Sequence, residues 1–563
     1  MMQPTIRRRE GAAAALGANL HPVLRRVYAA RGIDSESQLD LSLERLAPVS
    51  TLDGVHDAAR LLAAHRGGRV LIVGDFDADG ATSTALMMRA LRALGFVHVD
   101  FLVPNRFKFG YGLTPGIVAL AAERRPSLIV TVDNGVSSIA GVEAARAQGI
   151  PVLVTDHHLA GAQLPAAAVI VNPNLAGSRF ASPALAGVGV AFYVIAALVR
   201  ELGSSYRVAE LLDLVALGTV ADVVPLDHNN RVLVSQGLKR IRAERCVPGI
   251  RALLEGAGRS PARITAADLG FAVGPRLNAA GRLDDMSIGI ACLLNDDPAE
   301  AAALARQLEQ LNAERKQIEQ RMQEEARSLA ELAVVQGDES LGVVMFDERW
   351  HQGVIGLVAG RMKDRLHRPV IAFARAEDGS LRGSARSISG VHIRDALDGI
   401  AARHPGLIDK FGGHAMAAGM SLQEHCLPAF RVAFAAEIAR RIDPDMLTGV
   451  IFSDGVLSRE EMSVETARAL RGAGPWGQGF PEPVFDGEFR VTDLRIVGER
   501  HLKLRLEGGL EAIAFGYLGG LSEDSELAVG ALLRLAYRLE INEYQGAERV
   551  QLNCQHFART PVC

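Results

Sequence analysis

Five short runs of β-branched and aliphatic residues constrain this chain more than any other feature. Arg69-Val70-Leu71-Ile72-Val73 stops at Gly74, Val99-Asp100-Phe101-Leu102-Val103 at Pro104, and Ser127-Leu128-Ile129-Val130-Thr131-Val132 at Asp133. Ile150-Pro151-Val152-Leu153-Val154-Thr155 stops at Asp156, and Ala168-Val169-Ile170-Val171 at Asn172-Pro173. Near-continuous apolar runs of this length, separated by helix-like Ala/Leu/Arg stretches, predict a parallel sheet covered on both faces. Ligands of open parallel sheets bind beyond the carboxyl ends of the strands. Polar clusters at residues 74–80, 133–135 and 156–158 each follow a strand directly. The spacing therefore predicts that they meet at one sheet edge.

These clusters carry metal chemistry. Asp75, Asp77 and Asp79 alternate between Gly74 and Gly80, which on an extended segment places all three on one face. Carboxylates this close raise each other's pKa unless a cation offsets them. The competing reading, a solvated acidic turn, gives no reason for their place at the end of an apolar strand. Asp133 precedes the turn dipeptide Asn134-Gly135 and, taken alone, is an ordinary turn aspartate. Asp156-His157-His158 mixes carboxylate with imidazole, a donor set that suits Mn²⁺ or Mg²⁺ better than a thiolate-bound metal. Asp222 closes the helical run Gly218-Thr219-Val220-Ala221. Together these side chains suffice for two divalent ions, which at about 3.5–4 Å apart activate a water and stabilise both oxygens of a phosphoryl displacement. The chain has neither a Gly-x-x-x-x-Gly-Lys-Ser/Thr phosphate loop nor a Gly-x-Ser-x-Gly elbow, so neither ATP-driven work nor serine hydrolysis is indicated.

At 563 residues the chain exceeds what one core accommodates, and three or four domains are expected. We expect an N-terminal helical segment at 1–50, a catalytic α/β domain at 51–290 and a connector helix at 291–337. Within the catalytic domain, Leu185 to Leu202 and Val208 to Thr219 read as helices. The connector starts with Asp297 as N-cap, Pro298 in the first turn and Glu300 closing a capping box. Leu304, Leu308, Leu311, Ile318, Met322, Leu329 and Leu332 give it one apolar stripe, packed against two domains or, alternatively, in a dimeric coiled coil. A further α/β domain follows at 338–442, opening with a strand from Leu341 to Phe346, and short alternating strands at 449–560 suggest a small β-barrel. Hydrophobic residues at 48% and charged residues at 22% describe a globular chain. No long uncharged apolar run suggests a membrane span, and a cytoplasmic monomer is expected. The five scattered cysteines form no C-x-x-C pair, which argues against structural zinc. A net charge of −4 neither favours nor excludes DNA, because phosphate neutralisation is local.

Beyond these patterns lies a family resemblance. The stretches GDFDADGATSTA (74–85), LVPNRFKFGYGL (102–113), TVDNGVSS (131–138), VTDHH (154–158), LAGVGVAFY (185–193) and LVALGTVADVVPL (214–226) resemble the DHH phosphoesterase superfamily. With GPRLNAAGRLDD (274–285), WHQGVIG (350–356), GSARSISG (383–390), FGGHAMAAG (411–419) and PWGQGFPEP (475–483), the resemblance extends to the bacterial single-strand-specific 5′→3′ DNA exonucleases of that superfamily. It implies Asp75, Asp77, Asp79, Asp133, His157 and Asp222 as ligands of two Mg²⁺ or Mn²⁺ ions, with Asp133 bridging. His158 would contact the scissile phosphate or the ligand shell. Many members carry histidine where this chain has Asp75. The unit at 338–442 resembles the DHH-associated domain, whose Ser384, Arg386 and His414 would face the active site across a cleft. The barrel resembles an oligonucleotide-binding (OB) fold. The segments Arg106 to Tyr111 and Ser384 to Arg386 would hold the 5′ end, by bidentate arginine–phosphate bonds and stacking on Tyr111. Arg276, Asn278 and Arg282 would hold the strand's backbone, although a lone surface arginine is as easily an ion-pair partner. The implied activity releases 5′-mononucleotides in recombination and repair, alongside a single-strand-binding protein and a RecQ-type helicase. Dinucleotide hydrolases of the superfamily are shorter and lack the barrel, and non-catalytic relatives lack ligands that are all present here.

Overall fold

The apolar runs form strands within two residues of where they were expected. In the computed structural model, which describes residues 4–559 except 12–15, 18, 106–108, 336–339, 499–500, 518–526 and 545–546, five strands build one sheet. They are β1 (Arg69–Gly74), β2 (His98–Leu102), β3 (Leu128–Val132), β4 (Val152–Thr155) and β5 (Val169–Val171). The order is β2-β1-β3-β4-β5 and every neighbouring pair is parallel. β3 and β4 are buried throughout, and β1 beyond Arg69, which is why their sequences do not alternate. The chain leaves β1 for β2 on one side, then crosses back to build β3 to β5 on the other. The order thus reverses between β1 and β3, the switch point where open sheets bind ligands.

Helices supply the rest of the site. α1 (Ala78–Ala93) follows β1, α2 (Pro115–Glu123) leads into β3, and α3 (Ile139–Ala147) leads into β4. α4 (Gly187–Glu201) and α5 (Leu212–Ala221) are apolar nearly all round and pack on α1. The run expected to be helical from Val208 opens as a 3₁₀ turn, Val208–Leu211, before α5. α6 (His228–Arg242) and α7 (Gly274–Leu283) complete the scaffold.

The long helix α8 spans Pro298–Val335. Asp297 caps it by accepting from the amides of Ala299 and Glu300. The expected capping box does not close: Asn295 takes both groups, donating to Glu300 and accepting from the Asp297 amide. The stripe also differs, with Leu329 and Leu332 exposed. The buried positions are Ala301, Ala305, Leu308, Asn312, Arg315, Glu319, Met322 and Ala326, alternating by four and three with a polar centre that a search for leucines passes over.

Two compact units emerge, each drawing on both ends of the chain. One contains Ala12–Ala313 with Leu470–Glu482; the other contains Met1–Gly11, Glu314–Ala469 and Pro483–Cys563. Residues 1–50 are accordingly not one helical segment: Pro22–Ala29 is helical, whereas strand Thr5–Arg8 pairs with Val450–Ser453. In the second unit, β6 (Val343–Phe346), β7 (Val370–Arg375), β8 (Leu381–Arg386), β9 (Lys410–Gly413) and β10 (Ala417–Leu422) form a mixed sheet ordered β9-β10-β8-β7-β6. Its last five strands, β11 (Phe485–Val497), β12 (His501–Leu506), β13 (Glu511–Ala514), β14 (Leu532–Tyr544) and β15 (Ala547–Arg559), close into a barrel. Among the described residues, no helix is long and apolar enough to cross a membrane.

Candidate metal centre

All seven residues anticipated for the metal site come together at the switch point. Ligand atoms of Asp75, Asp77 and Asp133 lie within 4.8 Å of one another, as do those of Asp79, His157 and Asp222, and those of Asp133, His157 and His158. Asp133 and His157 each belong to two of these groups. His157 Nε2 is 3.1 Å from Asp133 Oδ1 and 3.5 Å from Asp222 Oδ2.

Each side chain is set by an element end. Asp75 leaves β1 buried, its carboxylate accepting from the Phe76 amide at 2.8 Å. Asp77 is the N-cap of α1 and accepts from Gly80 N at 2.9 Å. Asp79, on the first turn of α1, accepts from Gly187 N at 2.6 Å and Val188 N at 3.0 Å, so the N-terminus of α4 points at it. Asp133 ends β3 with φ of 63°, a left-handed conformation that non-glycine residues rarely adopt. A Cβ on Gly187 would sit 2.6 Å from the Asp133 Cβ, so only glycine admits α4 this close. Asp222 is the C-cap of α5.

Asp156 organises the histidines. Its carboxylate accepts from Val136 N (2.8 Å), His157 N (2.7 Å) and His158 N (3.1 Å), and His158 Nδ1 lies 2.8 Å away. Burial opposes its ionisation, yet the His158 hydrogen bond and charge outweigh it and hold the pKa below the ordinary carboxylate range. Sequence reasoning placed Asp156 in the motif but not among the working residues.

The remaining carboxylates show what the site is suited to hold. Burial, then Asp77, pushes Asp79 up to about 7. Burial, then Asp79, also drives Asp133 and Asp222 well above the ordinary range. Buried carboxylates that repel one another around two imidazoles are a donor set for hard divalent cations, and the residues fit Mg²⁺ or Mn²⁺.

The anticipated DNA-contacting residues divide into several groups. Tyr111 is 48% exposed, but its hydroxyl donates to the Asp133 carbonyl oxygen at 3.2 Å and lies 3.2 Å from His158 Nδ1. Asn278 accepts from Ala78 N at 2.7 Å and so braces the start of α1. Arg276 is buried, donates to Ala272 O at 2.6 Å and pairs with Glu309 of α8. Arg282 is half-buried at the end of α7. In the second unit, Arg386 donates to Ser384 Oγ at 3.0 Å and to Ala385 O at 2.8 Å on β8. His414 follows β9, its amide donating to Ala417 O, and Ala417 is in turn the register partner of Arg386. Both therefore lie at the same end of that sheet. Arg106 is outside the described residues.

A carboxylate–histidine cluster at the switch point of this sheet defines a DHH-type phosphoesterase. Residues 69–219 match the DHH family, N-terminal domain; residues 338–440 match the DHHA1 domain; and residues 453–556 match the RecJ OB domain. The chain is 53% identical to the single-stranded-DNA-specific exonuclease RecJ of Escherichia coli (strain K12), covering 98% of both chains. It is 35% identical to RecJ of Thermus thermophilus, covering 94% of this chain and 76% of that one. A crystal structure of Thermus RecJ in complex with Mn²⁺ superposes with a TM-score of 0.82 at 32% identity, covering 96% of this chain and 76% of that one. The chain belongs to the RecJ family.

Proposed function

We propose that this chain is a metal-dependent exonuclease that degrades single-stranded DNA from its 5′ end, hydrolysing phosphodiester bonds to 5′-mononucleotides in recombination and repair. The observation that carries this reading is the cluster of five aspartates and two histidines, in a chain 53% identical to Escherichia coli RecJ over 98% of both chains. Asp75, Asp77 and Asp133 would form one half of the site and Asp79, His157 and Asp222 the other, the two meeting where His157 Nε2 lies 3.1 Å from Asp133 Oδ1. Two Mg²⁺ or Mn²⁺ ions, when bound, supply Lewis acidity for water activation and for the charge developing on the phosphate. The protein's own part is positioning. The Gly187 and Val188 amides hold Asp79, and Asp156 orients both histidines. His158, held by the Asp156 carboxylate 2.8 Å from its Nδ1, presents its imidazole to the scissile phosphate.

Substrate selection rests on Arg106, Tyr111, Arg282, Ser384, Arg386 and His414. The arginines take the 5′ phosphate and backbone, and the exposed face of Tyr111 stacks a base. Arg276 and Asn278 act from inside by bracing α7 and α1. The OB barrel offers the single strand a second binding surface. We expect a cytoplasmic monomer working beside a single-strand-binding protein and a RecQ-type helicase. The test is metal-dependent digestion of long single strands labelled at the 5′ or the 3′ end, with duplex DNA and dinucleotides as controls. Early release of 5′ label as mononucleotide is expected. Activity confined to dinucleotides would overturn the assignment.

A further inference from the structure

The metal-site residue Asp222 is followed by an unfavourable backbone conformation. Val223 has φ of 60°. Helices commonly end on a left-handed residue, but that residue is usually glycine, because a β-branched side chain there meets the following carbonyl. Burial of the side chain does not compensate, since Val223 is 63% exposed. Neighbouring structure must therefore hold the turn.

A strap from residues 475–480, some 250 positions later and within the same compact unit, packs on the far end of that turn at Pro225 and Leu226. The Leu226 amide donates to Gln478 O at 2.7 Å. A Cβ on Gly477 would come within 2.7 Å of Leu226 Cδ1, and one on Gly479 within 3.2 Å of Pro225 Cβ. From the other side, Asn230 Nδ2 donates to Pro225 O at 2.9 Å. The strap is itself anchored. Trp476 stacks on Phe480 with ring centroids 5.2 Å apart, Arg231 of α6 lies over Phe480 at 4.4 Å, and Arg31 lies over Trp476 at 5.3 Å. Tyr28 donates to Ala473 O at 2.7 Å.

We propose that the 475–480 strap is a positioning element for Asp222, pressing the Val223–Leu226 turn into the conformation that keeps this carboxylate beside His157. The inference rests on the reading of Asp222 as a metal ligand. Partners that orient metal ligands are typically worth about 10–100-fold in affinity. Trp476→Ala in the full chain should therefore weaken Mn²⁺ binding, measured by titration calorimetry, by about tenfold or more, with kcat largely recovered at saturating Mn²⁺. Adding Val223→Gly, which adopts the left-handed turn without help, should restore most of the affinity. If Trp476→Ala fails to fold, Gly477→Ala, whose added Cβ would meet only the Leu226 side chain, is measured instead with the same expectation. Unchanged Mn²⁺ affinity, or a loss that Val223→Gly does not recover, overturns the proposal. Asp222→Asn is titrated alongside. If it leaves Mn²⁺ binding intact, the ligand assignment falls; if it weakens binding while the strap variants do not, only the strap's role falls.

Discussion

Divalent metal should enter this site in exchange for protons, and Asp79 allows the exchange to be sized. Its carboxyl is fully buried and pushed up to about 7 from an ordinary 3.8, first by burial and then by Asp77. A group with that pKa is about nine-tenths protonated at pH 6 and about one-tenth at pH 8. A cation that needs it ionised should therefore bind about tenfold tighter at pH 8 than at pH 6, about 1.4 kcal/mol. Asp133 and Asp222 are raised in the same direction, so tenfold is a floor. The assay is calorimetric titration of the metal-free chain with Mn²⁺ in buffers of different ionisation enthalpy, where the slope gives the protons released. About half a proton from Asp79 alone is expected at pH 7. The stability consequence has a definite sign. A carboxyl whose folded pKa lies above its unfolded value contributes stability below about 3.8, and that contribution is lost as pH rises through about 7. Between pH 6 and 8 the metal-free protein should thus lose thermal stability, and Mn²⁺ should restore it. Enthalpies independent of buffer, with an affinity flat from pH 6 to 8, would refute the reasoning.

Four substitutions separate the scaffold from substrate contact. Asp156→Asn keeps the shape but sets an amide N–H₂ among groups that already donate; kcat should fall by about 10–100-fold, as read by single-strand digestion at saturating metal. Gly187→Ala drives a methyl against Asp133, and overpacking of this kind costs about 1–3 kcal/mol. Urea unfolding should show that cost, together with weaker Mn²⁺ binding. Asn278→Ala removes the acceptor of the Ala78 amide, worth about 1 kcal/mol. It should lower stability while leaving single-strand affinity in EDTA unchanged, whereas Arg386→Ala should weaken that affinity and flatten its salt dependence.

The carboxylates and imidazoles of the cluster were legible because their chemistry has letters. Asp75, Asp77 and Asp79 follow an apolar run, and strand ends in a parallel sheet converge, so position and residue type pointed the same way. The three do not share an extended segment, however: Asp77 caps α1 and Asp79 lies in its first turn. Their supports were less visible. Asp79 is held by the amides of Gly187 and Val188, about a hundred residues away, and a backbone N–H carries no residue identity. Gly187 stood inside a matching stretch, but only the 2.6 Å approach to Asp133 gives it a reason. Asn278 looked like a polar group for DNA because nothing in its neighbourhood along the chain reveals that it faces Ala78. In α8, leucine spacing suggested the buried side, whereas Asn312, Arg315 and Glu319 occupy it. Polar burial depends on partners such as the Arg315–Glu319 pair, which periodicity of apolar residues does not register.

The choice of holders has a physical logic of its own. An arginine beside Asp79 would lower its pKa and stabilise the metal-free protein, but it would also compete with the cation for the same oxygens. Backbone amides orient the carboxylate with partial charges only, so burial and Asp77 still win and the group stays near 7. Asp156 shows the opposite arrangement one layer out: amides and His158 overcome burial and keep it ionised. A charge that only orients its neighbours can be neutralised locally without loss of function. Charges that must capture metal have to remain unsatisfied until it arrives, and the repulsion among Asp79, Asp133 and Asp222 is the stability the fold gives up to keep them so.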